Sequence, residues 1–445
     1  MRVSGILQGR LSKIVNQNTE RAMKYIYDNI STTGNSILVS IPQFLKRTEA
    51  VKEDFWCQYD ADITGVPEHI ASIPYILNIA PVIWALNLQA RVRVVDHDLF
   101  TALPILRDAL RTMYPALPWE GEILADDTKP TVLEGRGRGI FFSGGLDSVF
   151  STLHHLGEKP ALFTIRGSDI SLKDDHGWNL VKVQANNFAQ RYGLTNRTIT
   201  SNFMTFLNQS MLADLSETFP GWWGGVQHGM GFAGLVAPMA QHLEISKFYL
   251  ASSHSVDFTT PWGSDPRIDN HIRYAGVSFL HDGYEYTRHA KLAALINEIR
   301  TKGLKRPTLR VCYVNASNAG ANCCVCEKCS RTITSLLIEG ENPNEYGFSV
   351  PFIRFIRTVK ASFAKTQFIF ASNTLFHWCD IQRAIKTASH VDPAVQSYIE
   401  WVRDFDFLSY KVASQLRRKR LDPLVRLLSR TPLYSLAKRV YRLIA

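Results

Sequence analysis

Between Gly139 and Gly157 the chain reads "GIFFSGGLDSVFSTLHHLG": an apolar run, a six-residue turn, then Val149, Phe150, Leu153 and Leu156 at helical spacing. This predicts a short buried strand over 139–142 and a helix after the turn, capped by Gly157. Downstream, "ALFTI" and "RTIT" predict strands on either side of a helix from Trp178 to Tyr192 that ends at Gly193. "KFYLAS" and "LRVCYV" predict two more strands. Strands alternating with helices imply an α/β fold: a doubly wound parallel sheet with ligands at the carboxyl ends of its strands.

Upstream, "PYILNIAPVIWALNL" predicts a buried helix, "RVRVV" a strand and "LFTALPILRDALRTMY" another helix. These suggest a separate N-terminal α/β accessory domain over 1–135, joined to the rest by "EGRGRG". It carries no recognisable chemistry, which leaves it to complete a substrate cleft or to form a homodimer surface. The main domain is expected over 136–345, and a helical extension rich in aromatics over 346–445.

Composition narrows the class. With 45% hydrophobic and 20% charged residues the chain is globular, and no run approaches the ~20 apolar residues that span a bilayer. The opening "MRVSGILQGRLSKIVNQ" lacks the apolar core of a signal peptide, so a cytoplasmic protein is expected. The formal charge of +10 is concentrated at one end: from Lys411 onward there are ten Lys or Arg and one acid, Asp422. That tail interleaves bases with Leu, Val, Ile and Tyr. Three destinations stay open for it: an anionic surface (peripheral, at the inner membrane), nucleic acid, or the protein's own acidic face. Pro423 and Pro432 are expected to break it into short pieces.

The turn itself holds the first candidate chemistry. Gly144 and Gly145 permit a tight bend and close backbone approach, and the helix N-terminus behind them offers free N–H groups and a positive dipole. Such a site suits an anion. Ser143 and Ser148 present hydroxyls, while Asp147 either orients the loop or helps to hold Mg²⁺. No Lys-Ser/Thr follows the glycines, so this is not a Walker A loop, and the absence of G-x-S-x-G excludes a nucleophile elbow.

"SGGLDS" resembles the pyrophosphate-binding loop, S-G-G-x-D-S, of the PP-loop ATP pyrophosphatases. Members of that superfamily split ATP between its α- and β-phosphates and adenylate a substrate oxygen. The resemblance implies that Ser143, Gly144, Gly145, Leu146, Asp147 and Ser148 bind ATP, with Ser143, Asp147 and Ser148 acting in catalysis. It also implies a PP-loop fold, with adenine or ribose near "RGSDI" after the second strand.

Five of the seven cysteines crowd into one stretch, as Cys312-x10-Cys323-x2-Cys326-x2-Cys329 with Cys324 inside it. Four thiolates at such spacing, three of them in a turn before a helix, suit tetrahedral Zn²⁺. Cys324 is either a spare thiol or a competing ligand. The spacing is similar to the structural zinc site of 7-cyano-7-deazaguanine synthase, a PP-loop enzyme. The first gap is longer here, and Cys324 stands where that family usually has glycine. "PWGSDPRIDN", "HDGYEYTRHAK" and the cysteine block together also resemble uncharacterised PP-loop proteins of bacterial polysaccharide or defence gene clusters.

Polar loops at strand ends read substrates. "SSHSVDFTTPWGSDPRIDNH" follows the fourth strand of the main domain, which makes His254, Trp262, Asp265, Arg267 and Asp269 substrate-side candidates against a plain solvated loop. Arg288 and Lys291, opening a helix with the stripe Leu292, Leu295, Ile296 and Ile299, and Arg331 beyond the cysteines, are candidate phosphate contacts. G-x-G-x-x-G at Gly229, Gly231 and Gly234 follows no strand and reads as a helix packed closely on the sheet.

The expected function is therefore that of an ATP- and Mg²⁺-dependent ligase acting on a carboxylate or amide oxygen. No glutaminase signature is present, so ammonia or an amine would be the nitrogen donor. The competing readings are the same chemistry on a macromolecule such as tRNA, DNA or protein, and an ATP-sensing module without turnover.

Overall fold

Leu162 and Phe163 are adjacent and both buried, yet they belong to different hydrophobic cores. Successive side chains of a strand face opposite ways, so this strand is covered on both faces. The same division separates Tyr249 from its neighbours Phe248 and Leu250.

The computed structural model describes residues 24–312, 322–388 and 391–428. Its strands are β1 (Lys24–Tyr25), β2 (Asn29–Thr33), β3 (Ser36–Ser40), β4 (Phe55–Tyr59), β5 (Gln89–Asp96), β6 (Glu122–Lys129), β7 (Gly137–Phe141), β8 (Ala161–Arg166), β9 (Asn196–Ser201), β10 (Ile245–Ala251), β11 (Arg273–Tyr274) and β12 (Val277–Asp282). The helices used below are α1 (Ile73–Ala85), α2 (His97–Met113), α3 (Leu146–His154), α4 (Asp175–Arg191), α5 (His228–Leu235), α6 (Arg288–Lys302), α7 (Glu327–Ile338), α8 (Phe352–Ala364), α9 (Ser372–Ile385), α10 (Gln396–Asp404) and α11 (Phe407–Leu428).

Nine strands form the central sheet, in the order β11-β12-β10-β7-β8-β9-β4-β3-β2. From β12 to β9 all neighbours are parallel. β11 is antiparallel to β12, and β4, β3 and β2 continue the sheet antiparallel beyond β9. The sheet is thus mixed, not wholly parallel. The chain runs outward through β8 and β9 on one side of β7, then returns to place β10 and β12 on the other. That reversal is a switch point, where the strand ends leave a crevice.

The boundary expected near residue 135 does not separate two cores. β2–β4 extend the central sheet, and one continuous core runs from Ile26 through Ile123 to Phe279. Only β1, β5 and β6 form a sheet of their own. Nor is "EGRGRG" a free linker: β7 starts inside it, and a Cβ on Gly135 would lie 2.0 Å from the Glu244 carbonyl oxygen. All thirteen residues of α1 are buried, and the helix packs against α5. The three glycines of the G-x-G-x-x-G run lie on α5, and a Cβ on Gly229 would sit 2.0 Å from Asp269 Oδ1. Close packing accounts for them.

α8 to α11 share a core with α3, so the helical extension is built onto the main domain. Phe363 is its hub, with the rings of Trp378, Trp401, Phe405 and Tyr410 at 4.9–5.6 Å. Pro423 does not end α11, which runs through it. Residues 309–312 of the expected strand "LRVCYV" are not strand, and the remainder, like the tail past Leu428, lies outside the described residues. α3 ends at His154, and Lys159, not Gly157, takes the left-handed conformation that closes the segment.

His155, just past α3, is clamped between Glu158 (Nδ1 to Oε1, 2.9 Å) and Asp282 (Nε2 to Oδ1, 2.9 Å) and stacks on Tyr249 at 3.8 Å. Burial alone would lower its pKa, but Asp282 and Glu158 outweigh burial and raise it. A raised folded-state pKa contributes stability fully present below about pH 6.5 and lost as pH climbs through the folded value. His155→Gln should therefore lose about 1–2 kcal/mol near pH 6 and progressively less toward pH 9, read from urea unfolding at each pH. An equal loss at every pH would show that the clamp works through packing alone.

Candidate functional site

At the end of β7 the chain must turn sharply to start α3. Gly144 supplies the bend with φ +74°, where a side chain is strained, and Gly145 caps the helix in extended conformation. The turn is knitted internally. Ser148 Oγ accepts from the Ser143 amide at 3.3 Å, lies 3.2 Å from Ser143 Oγ and donates to the Gly145 carbonyl at 3.1 Å. Arg310 clasps it from outside: its amide donates to the Gly144 carbonyl at 2.7 Å, and its guanidinium to the Ser143 carbonyl at 2.7 and 3.1 Å. Ser148 is buried, so its hydroxyl shapes the loop and is not displayed on the surface. The amides of Leu146, Asp147 and Ser148, in the first turn of α3, have no partner within the helix.

Asp147 turns inward to Arg288 (Oδ2 to Nη1, 3.0 Å), with Lys291 Nζ 3.8 Å from its Oδ1. Burial pushes its pKa up, but Arg288, Lys291, Lys328 and Arg331 together hold it below the usual carboxylate value. Asp147 Oδ1 is buried and makes no hydrogen bond. Lys291 is almost fully buried and donates to the Ser252 carbonyl at the end of β10; burial is the main cause that lowers its pKa. Arg331 lies 3.5 Å from Glu327. Two arginines and two lysines thus act on one carboxylate at the switch point, and burial lowers the pKa of Lys328 to about 7. Three of them were candidates from sequence. Lys328 was not, although it stands between Cys326 and Cys329.

The polar loop after β10 divides. His254 lies on this side: its ring meets Trp262 at 5.4 Å and Phe258 at 5.7 Å, and burial lowers its pKa to about 4, with Asp147 pulling the other way. Trp262 also covers Gly224, where a Cβ would be 2.6 Å from the indole. Asp265 and Arg267 are spent on each other, in a fork of 2.7 and 2.8 Å, and Asp265 also caps a short helix through the Arg267 amide. Asp269 is fully buried; it accepts from Ser264 at 2.6 Å and pairs with His281 Nδ1 at 2.7 Å. These three hold the loop together and are not brought to the cation cluster as substrate contacts.

The cysteines converge. The four Sγ atoms of Cys312, Cys323, Cys326 and Cys329 all lie within 4.8 Å of one another, with two pairs at 3.9 Å. A tetrahedron of bonds near 2.3 Å has edges of about 3.8 Å, so these four sulfurs can hold one metal ion such as zinc. Asn322 sets the arms, accepting from the Val311 amide at 3.0 Å and donating to the Leu309 and Gly347 carbonyls at 2.7 and 3.0 Å. Cys324 takes a left-handed conformation (φ +58°), and its sulfur lies 3.5 Å from the Asn322 carbonyl, outside the cluster. It is the spare thiol. Cys326 caps α7, which carries Lys328 and Arg331 to Asp147, so the cysteine turn positions half of the cation cluster.

α9 covers this arrangement. His377 is buried beside Leu146, Arg288 and Arg331, Trp378 Nε1 donates to Glu327 at 3.0 Å, and Phe376 meets Phe258 at 5.1 Å. On the other side of the loop a cavity of about 290 Å³ opens between Ser143, Gly144, Phe188 and Arg310. Neither α9 nor Arg310 could be placed here by local pattern, since both reach the loop from more than 150 residues away. Among the described residues no helix is long and apolar enough to cross a membrane. Comparisons with protein-family models, curated proteins and solved structures found no match.

Proposed function

We propose that the turn from Ser143 to Ser148 binds the phosphates of ATP and that the protein is an AMP-forming ligase of the PP-loop kind. One observation carries this reading: a glycine turn at a helix N-terminus lies at the switch point of the sheet, ringed by Arg288, Lys291, Lys328 and Arg331. Helix-terminal amides and clustered cations favour a polyanion, and most of all one whose charge grows as a bond breaks. Bound ATP would supply the adenylyl group that activates a carboxylate or amide oxygen, with loss of pyrophosphate, before ammonia or an amine displaces AMP. The chain's own part is to orient the triphosphate on the amides of Leu146 to Ser148, to hold the departing pyrophosphate's charge on the four cations, and to keep the turn rigid through Ser148 and Arg310.

Asp147 Oδ1, buried and without a hydrogen bond, is a carboxylate oxygen this cluster offers to Mg²⁺. A single protein carboxylate suffices where the nucleotide supplies the other oxygens. The four thiols fit structural Zn²⁺, which would fix the start of α7 and take no part in the reaction. His254 and Trp262 line the substrate side of this reading.

Phosphorus NMR tests it. Mg²⁺-ATP, ammonia and a panel of carboxylic acids and amides should give AMP and pyrophosphate with the accepted substrate. ADP and inorganic phosphate as the products would overturn the assignment.

A further inference from the structure

Over residues 407–420, α11 packs through one face only. Phe407, Tyr410 and Ser414 are buried beneath it, the Tyr410 hydroxyl and the Phe368 carbonyl and amide are joined, and Arg417 folds back onto the Lys365 and Thr366 carbonyls. On the opposite face Leu408, Val412 and Leu416 are 66%, 56% and 53% exposed. Residues four apart share a helix face, so these three make an apolar row of about 12 Å along the axis. Lys419 continues the row, and Arg418 and Arg420 stand on either side of it, all three exposed. Among described helices this is the one that sets an exposed aliphatic row beside a run of bases.

Charge and polarity together select the occupant. A second copy docked through this face would bring bases against bases. Nucleic acid would use Arg418, Lys419 and Arg420 but has no phosphate-backbone contact that calls for an exposed aliphatic row. A lipid surface with anionic headgroups uses both: aliphatic side chains enter the acyl boundary while the bases stay at the headgroups. The sequence past Leu428 continues the same alternation of bases and aliphatics, with four more Lys or Arg and no acid. We propose that the exposed face of α11 docks the protein on an anionic lipid surface. This stands apart from the ATP reading, which it neither needs nor supports.

Sedimentation of the full-length protein with vesicles tests it. Vesicles of phosphatidylcholine and phosphatidylglycerol, three to one, should bind the protein; phosphatidylcholine alone should not, and added salt should weaken binding. Combining Leu408→Gln, Val412→Gln and Leu416→Gln should lower the affinity by at least about tenfold, because each removes apolar area from the contact. Arg418→Gln, Lys419→Gln and Arg420→Gln together should lower it by about fivefold per residue. The aliphatic-row variant should melt as the native protein does, since its three altered side chains are exposed. Native protein that ignores the anionic vesicles, or an aliphatic-row variant that binds them undiminished, overturns the proposal. Binding to a 30-mer DNA or RNA duplex that the aliphatic variant retains, without vesicle binding, assigns the bases to nucleic acid instead.

Discussion

Cys326→Ser protein should contain no stoichiometric zinc and should lose the cooperative unfolding of its C-terminal half. Serine is a poor ligand for zinc, and three thiolates do not close a structural site. Metal binding in such sites is folding free energy, about 10–16 kcal/mol in small zinc peptides, so its loss is large against ordinary domain stability. The damage should spread along α7, because Cys326 caps that helix and Cys329 is buried in the core shared with α8 to α11. Cys324→Ser is the control. Its sulfur lies outside the cluster, so that variant should retain one zinc per chain by elemental analysis. Undiminished zinc in Cys326→Ser, or zinc lost from Cys324→Ser, would show that a different set of sulfurs binds.

Asp147→Ala should cost both stability and turnover. Removing the carboxylate leaves Arg288 and Lys291 facing each other in a largely buried space, and breaking one side of such a pair costs about 3 kcal/mol or more. If the cluster is a pyrophosphate site, added pyrophosphate should raise the melting temperature of Asp147→Ala more than that of the native protein. The anion then takes the place of the missing carboxylate. Turnover should fall by about 10²–10³-fold, the size of effect typical of a lost group at a charge-stabilising site. A variant stabilised no more than native protein by pyrophosphate would remove the anion role from the four cations.

What the sequence made legible was local. The strand, turn and helix around Ser143–Ser148 follow from periodicity and two glycines, and the cysteine cluster follows from spacing within eighteen residues. Contacts between distant segments left no such trace. Lys328, between two cysteines, carried no sequence signal of its own, yet α7 brings its charge to bear on Asp147. Arg310 lay in an expected strand, whereas residues 309–312 instead run as irregular chain that clasps the loop. Asp265, Arg267 and Asp269 were polar residues in a polar loop, and composition cannot distinguish a side chain that reads a ligand from one bonded to its own neighbours. The continuation of the sheet by β4, β3 and β2 was equally hidden, because an antiparallel partner for β9 more than 130 residues upstream has no sequence mark.

That continuation bears on how copies of this protein can aggregate. A parallel sheet ending at β9 would present a row of unpaired amides and carbonyls, a template for strand addition by any other chain. Instead the sheet ends in β2, "NISTT", whose side chains are largely polar and partly exposed. At the opposite end β11 offers only two residues, one of them the exposed Arg273. Both ends are poor templates, the first for want of apolar side chains and the second for want of length. Self-association through backbone pairing is thereby discouraged at both ends of the central sheet, which leaves the eight-residue β6, at the end of the smaller sheet, as the longest described strand with an open edge.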